Sequence, residues 1–236
     1  MTTKHVAPSS NKLLARLPAA DYQRLSRHLE TVPLPFKEVL HRGGEEVRRV
    51  YFPEGGVCSI THLMADGRMV EMATVGNEGL VGITACFGGG IEPGEAIVQV
   101  PDGSACALDA AVFKAEMERR GALSDVVNRY VQAYMAFLAQ SVACNALHSV
   151  EERLARWLLM SHDRMGHNDF PLTQEFLAIM LGVRRSSVTI AFGALSRAGL
   201  IDHATKKIRI KNRQGLEAAS CECYATVARH FARLLP

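Results

Sequence analysis

The chain has 236 residues, 48% hydrophobic and 22% charged, a balance that suits a globular protein with room for two modest cores. No apolar run reaches the roughly 20 residues of a membrane span, and the polar start Met1–Asn11 lacks the apolar stretch of a secretory leader. These features argue against a membrane or secreted reading and make the cytoplasm the expected location, with the six cysteines as free thiols. The net charge of +3 is unevenly spread: residues 1–149 carry 14 basic against 16 acidic side chains, residues 150–236 carry 13 against 8, and residues 164–213 carry 9 against 3. A basic domain joined to a near-neutral one is the footprint of a nucleic-acid binder, although a module docking on an acidic protein partner shares it.

In chain order, Leu13 to Leu29 opens as a short helix, with Leu14, Leu17, Leu25 and Leu29 near helical spacing. From about Thr31 to Leu108, short runs (Val50–Phe52, Val57–Leu63, Met69–Val75, Ala96–Val100) alternate with Gly, Pro and Asp punctuation. That texture predicts an antiparallel sandwich or roll. Asp66-Gly67 predicts a hairpin turn over 65–68, because this pair tolerates positive φ. After Asp109 the pattern is helical. Between Ser124 and Leu147 there is no Gly or Pro, and Val127, Val131, Tyr134, Leu138, Ser141 and Asn145 recur at spacings of four and three. This predicts a dimerisation helix with those six residues as its seam, while the same period fits a long helix packed on its own β domain. A second helix, Val150 to Asp163, carries the single tryptophan, Trp157, as a core anchor. The expected fold class is α+β, divided into a β-rich domain (1–122), a dimerisation helix (123–148) and a basic C-terminal domain (149–236).

The DNA-binding reading rests on Leu172 to Leu195. Thr173 is a good N-cap for a helix burying Phe176, Leu177 and Met180 or Leu181. Gly182 supplies the left-handed residue that ends it, and Val183 fills the space before the next helix. A second helix from about Arg185 then buries Val188, Ala191, Phe192 and Leu195 and shows Arg185, Ser186, Thr189 and Ile190 outward. This is the pattern of a helix-turn-helix whose second helix enters the major groove. An ordinary helical hairpin would fit the apolar spacing too. Two features weigh against it: adjacent arginines on the outer face, and a wing that follows at once, with strand Ile208-Arg209-Ile210 and Lys206, Lys207, Lys211 and Arg213 nearby. Thr173, Arg184, Ser187, Lys206, Lys207 and Arg209 are therefore the candidate phosphate contacts.

From end to end the order resembles the cyclic-AMP receptor / fumarate-nitrate-reduction regulator (Crp/Fnr) superfamily of bacterial transcription regulators. The resemblance is carried by Leu172–Leu195 and its continuation Arg197-Ala198-Gly199-Leu200-Ile201, and more loosely by Val75–Gly82. It implies a cyclic-nucleotide-binding-like β-roll, a long dimerisation helix and a winged helix-turn-helix. It also implies a homodimer that reads a two-fold symmetric operator, with RNA polymerase a partner if the protein is an activator. The family's base-reading positions map onto Arg185, Ser186 and Ile190. Ser186 stands where many members carry Glu and Ile190 where many carry Arg, so a different operator sequence is expected.

The sensor end departs further. Gly76, Asn77, Glu78, Gly79 and Leu80 mark the candidate effector pocket, but Asn77 follows Gly76 where nucleotide-binding members have Glu. Gly88 to Val100 contains no arginine and does contain Glu95. A cyclic phosphate needs a positive partner, so cyclic AMP is not the expected effector. Another small molecule, or no effector at all, fits equally. There is no cysteine before Cys58, which argues against the N-terminal iron–sulfur cluster of oxygen-sensing members. Cys221-Glu222-Cys223 with His230 has too little ligand spacing for a zinc or cluster site. No metal and no cofactor is assigned, although a redox- or haem-responsive regulator using Cys or His residues stays open. No nucleophile elbow, phosphate loop or His-Glu-x-x-His motif occurs, so an enzyme is not expected.

Overall fold

The computed structural model describes residues 9–101, 103–204 and 207–235. The chain divides into two compact units: Met1–Cys58 with Val75–Gln132 and Leu235, and Ser59–Thr74 with Ala133–Leu234 and Pro236. This differs from the division at 122 and 148. The boundary runs through the long helix, and the hairpin around Gly67 groups with the C-terminal elements.

In the first unit the opening helix is broken in two. Pro18 fixes its own φ and so heads α1 (Ala19–Ser26), after a short 3-10 turn at Leu14–Arg16. Seven strands follow: β1 (Glu30–Pro33), β2 (Val39–His41), β3 (Arg49–Pro53), β4 (Val57–Leu63), β5 (Met69–Val75), β6 (Glu95–Val100) and β7 (Ser104–Asp109). One antiparallel sheet has the order β1-β7-β3, with Val50 opposite Leu108 and Phe52 opposite Cys106. The other has the order β2-β6-β4-β5. The first unit holds β2, β6, the first two residues of β4 and the last of β5. Val50, Phe52, Val98, Ala105 and Leu108 fill the interior. Phe52 meets Phe113 of α2 (Ala110–Glu118) edge-on at 6.3 Å, the geometry aromatic rings favour. Asn11, buried, donates from Nδ2 to the carbonyls of Pro53 and Gly79, both at 2.8 Å, and accepts from Leu13 N at 3.0 Å. Arg120 and Gly121 end α2, and α3 (Ala122–Leu147) begins at once.

The second unit begins with the β4–β5 hairpin, whose turn is the one the Asp-Gly pair predicts. Gly67 takes φ 83°, Met64 N donates to Arg68 O at 2.8 Å, and Asp66 Oδ1 accepts from Arg68 N at 3.1 Å. After α3, Ser149 and Glu152 form a reciprocal capping box that starts α4 (Val150–Met165). Then come β8 (Asp169–Phe170), α5 (Gln174–Leu181), α6 (Arg185–Arg197), β9 (Ile201–Ala204), β10 (Lys207–Ile210), α7 (Arg213–Ala219) and α8 (Cys223–Leu234). The short strands make a sheet of order β8-β10-β9. Among the described residues no single helix is long and apolar enough to cross a membrane.

Trp157 is the core anchor its sequence position suggests, but it also makes a polar bond. Its Nε1 donates to Glu71 Oε1 at 2.9 Å, and Ser59 Oγ donates to Glu71 Oε2 at 2.5 Å. Burial pushes the Glu71 carboxyl up to about 7, against the opposing pull of these two donors. An acid raised in the folded state contributes most below its unfolded pKa, and that contribution is lost as pH rises through the folded value. Glu71→Gln should therefore match the parent near pH 4.5 and gain on it up to pH 7. The gap at pH 8 should reach about 1–3 kcal/mol, read by urea unfolding across the pH range.

Candidate nucleic-acid interface

Helices α5 and α6 meet at 109°, within the range of a DNA-binding helix-turn-helix. The joint is built locally. Thr173 Oγ1 accepts from Phe176 N at 3.2 Å and caps α5. Gly182, at φ 63°, ends α5, and Val183 N turns back to Ala178 O at 3.0 Å. Leu177, Met180 and Leu181 are buried on α5, and Val188, Ala191, Phe192 and Leu195 on α6, while Phe176 is half-buried.

The opposite face of α6 holds the candidate base readers together. Arg185, Ser186 and Thr189 are exposed, and Ile190 is 72% exposed. Arg185 Nε lies 3.7 Å from Glu175 Oε2, and Thr189 Oγ1 donates to Gln174 Oε1 at 2.9 Å, so α5 orients both. Of the candidate phosphate contacts, Thr173, Arg184 and Lys207 are exposed and Ser187 is half-buried, while Lys206 lies outside the described residues. Arg209 is placed differently. Its Nε donates to Asp169 Oδ1 at 2.6 Å and its Nη2 to Oδ2 at 3.0 Å, which holds that carboxyl, on β8, below the usual range. Asp169 reaches it only because β8 pairs with β10. Arg213, basic in sequence, is a brace, bonded to Asp163 at 2.7 Å, Glu217 at 2.9 Å and Tyr224 at 2.7 Å.

The six seam residues of α3 do not share one environment. Val127, Tyr134 and Ser141 are buried by their own chain, Val131 and Leu138 are half-buried, and Asn145 is exposed. The face left apolar and open is displaced to Val131, Met135, Leu138 and Val142, with Met135 64% and Val142 71% exposed. Both seams have the same period, so only burial separates them. Met135 and Val142 lie outside the predicted seam.

The candidate effector loop is closed by its own unit. Glu78 Oε1 accepts from Gly76 N at 3.3 Å, Asn77 O accepts from Lys12 N at 2.7 Å, and Tyr130 Oη donates to Leu80 O at 3.3 Å. A Cβ added at Gly79 would lie 2.4 Å from that hydroxyl. A cleft of about 470 Å³ opens elsewhere, between Val39–Arg42, Glu45, Glu46, Arg48, Arg49 and Tyr51. Glu95 faces Arg42 at 3.7 Å. In the second unit Cys144, His148, Cys221 and Cys223 converge, a grouping the short Cys221–Cys223 spacing alone does not reveal.

Residues 31–120 match the family model of the cyclic nucleotide-binding domain, and residues 152–219 match that of the Crp-like helix-turn-helix domain. The chain belongs to the Crp/Fnr family. With the helix-turn-helix geometry above, this makes it a DNA-binding transcription regulator. Its fold is similar to that of a Crp/Fnr-family protein from Eubacterium rectale, at 20% identity and TM-score 0.64, covering 88% of this chain and 96% of that one. It is also similar to FixK2 from Bradyrhizobium japonicum, at 19% and 0.62, covering 82% and 98%. A CRP-family regulator from Thermus thermophilus matches at 22% and 0.65, covering 81% and 96%. At such identities the likeness is one of fold. No curated protein matches the sequence.

Within this Crp/Fnr helix-turn-helix, Gly182 is doubly constrained, since an added Cβ would also lie 2.9 Å from Val70 Cγ2. Gly182→Ala should cost about 1–2 kcal/mol from the left-handed backbone alone, with a further steric part. In a Val70→Ala background the steric part should vanish and the backbone part remain, as a double-mutant cycle of unfolding free energies would measure.

Proposed function

We propose that this regulator acts as a homodimer that reads a two-fold symmetric DNA operator, with α6 in the major groove and the β-roll under the control of a signal. The observation that carries the reading is the joint exposure of Arg185, Ser186, Thr189 and Ile190 at the start of a helix set at 109° to its partner. Arg185 donates two hydrogen bonds to guanine O6 and N7, and Ile190 meets a thymine methyl. Ser186 and Thr189 supply short hydroxyl contacts to bases. Thr173, Arg184, Ser187, Lys206 and Lys207 contact phosphates. Arg209 sets the wing through Asp169 before it meets DNA. In the dimer the two recognition helices enter successive major grooves roughly 34 Å apart.

The dimer reading is supported by the open apolar stripe of α3, Val131, Met135, Leu138 and Val142, extended by exposed Asn145. Their spacings of four, three and four are those of a two-helix seam. RNA polymerase joins as a partner if the protein activates. The closed packing of Gly76–Leu80 favours a regulator that takes no cyclic AMP in that loop and, as a second reading, one that binds DNA without any small effector.

Selection of random duplexes by the purified ligand-free protein tests the main reading, with enrichment of a two-fold symmetric motif as the expected result. On that motif Arg185→Ala should lose roughly 1–3 kcal/mol of binding and relax specificity at one base pair per half-site. Full retention of affinity and preference would remove α6 from the recognition role. Met135→Glu with Leu138→Glu should convert the dimer to monomer in sedimentation velocity and abolish operator binding. An unchanged dimer would place the interface on another surface.

A further inference from the structure

Cys144 lies in the last turn of α3 and His148 just past its end, and the chain brings Cys221 and Cys223 back to them where α8 begins. The three sulfurs and one imidazole nitrogen all lie within 4.8 Å of one another. Cys144 Sγ is 3.5 Å from Cys221 Sγ, and Cys223 Sγ is 3.5 Å from His148 Nδ1. A tetrahedral ion with sulfur at ~2.3 Å and nitrogen at ~2.0 Å sets its ligand atoms about 3.5–3.8 Å apart. The two short edges therefore need only a few tenths of an ångström of adjustment. All three cysteines are buried, and His148 is half-buried.

The surroundings are arranged for ligation as well. His148 Nε2 lies 3.2 Å from Glu222 Oε2. A carboxylate behind the far nitrogen fixes the tautomer that leaves Nδ1 free to bind. Gln140 Nε2 donates to Cys223 Sγ at 2.9 Å. Three thiolates around a dication leave one net negative charge. Arg156, buried, with Nε and Nη1 lacking a hydrogen-bond partner among the described residues, acts on Cys144 as well as on Glu71 and adds positive charge beside the cluster. Thiols packed merely as small apolar groups would need neither the histidine nor the acid behind it.

We propose that Cys144, His148, Cys221 and Cys223 form a closed Cys3His site for one zinc-class divalent ion, which fastens the start of α8 to the end of α3. Four protein ligands with no open position make the ion structural, and three thiolates select a soft, tetrahedral metal. The site is independent of the DNA-reading residues.

The test uses the full chain, reduced, loaded with Zn2+ or with Co2+, and gel-filtered. The expected result is about one ion per chain by elemental analysis, with thiolate-to-metal charge transfer and tetrahedral ligand-field bands in the cobalt form. Cys221→Ser and Cys144→Ser should each lose most of the bound metal, while Cys106→Ser, in β7, should keep it. A chelator should lower the Tm of the parent and leave that of Cys221→Ser unmoved. The proposal fails if the reduced parent retains no metal, if the cobalt spectrum is octahedral without thiolate bands, or if both serine variants hold zinc in full. The cobalt spectrum of the parent keeps the test valid even where a variant does not fold.

Discussion

A polar group taken out of water is costly unless it finds a partner, and three side chains of α4 find theirs on neighbouring elements. Trp157 gives its indole N–H to Glu71 of the hairpin, Arg164 donates to Thr74 at 2.7 Å, and Arg153 donates to the carbonyl of Leu181 at the end of α5. An unmet donor of this kind costs about 1–3 kcal/mol, more when charged. The hairpin and α5 are thereby referenced to a single helix by directional bonds. Leu181 immediately precedes Gly182, and Gly182 sets the angle at which α6 leaves. The direction of the recognition helix thus depends on α4 as much as on its own sequence.

The wing follows the same logic with charges. Arg209 looks outward in the alternation of β10, as a DNA contact would, yet its two-pronged bond to Asp169 ties the third strand into the sheet. Screening by water keeps such an exposed pair weak in energy. Its value is geometric, because a planar guanidinium accepts a carboxylate in one orientation. Lys207 beside it is exposed.

How far the sequence carried the reading depended on distance along the chain. The helix-turn-helix was legible because everything that makes it lies within Thr173–Leu195: a cap, a left-handed glycine and two apolar stripes. The Asp66-Gly67 turn was legible for the same reason. Which residues of α3 stay exposed was not, since two stripes with one period lie side by side on that helix and only packing buries Tyr134 and leaves Met135 open. The ion pair of Arg209 was not legible either, because Asp169 comes forty positions earlier. The break of the opening helix at Pro18 was visible in principle, yet leucine spacing alone runs through it. The meeting of Cys144 and His148 with Cys221 and Cys223 is likewise a product of the fold.

The pairing of Trp157 with Glu71 has an optical side. The chain has one tryptophan, and it is buried with its N–H on a carboxyl that belongs to the β4–β5 hairpin. Residues 64 and 67–70 of that hairpin share a cleft with Glu175, Gly182, Arg184 and Arg185. Emission from this indole therefore reports whether the hairpin is seated beside the recognition helix. The protein carries a built-in, label-free probe of how the hairpin sits beside α6.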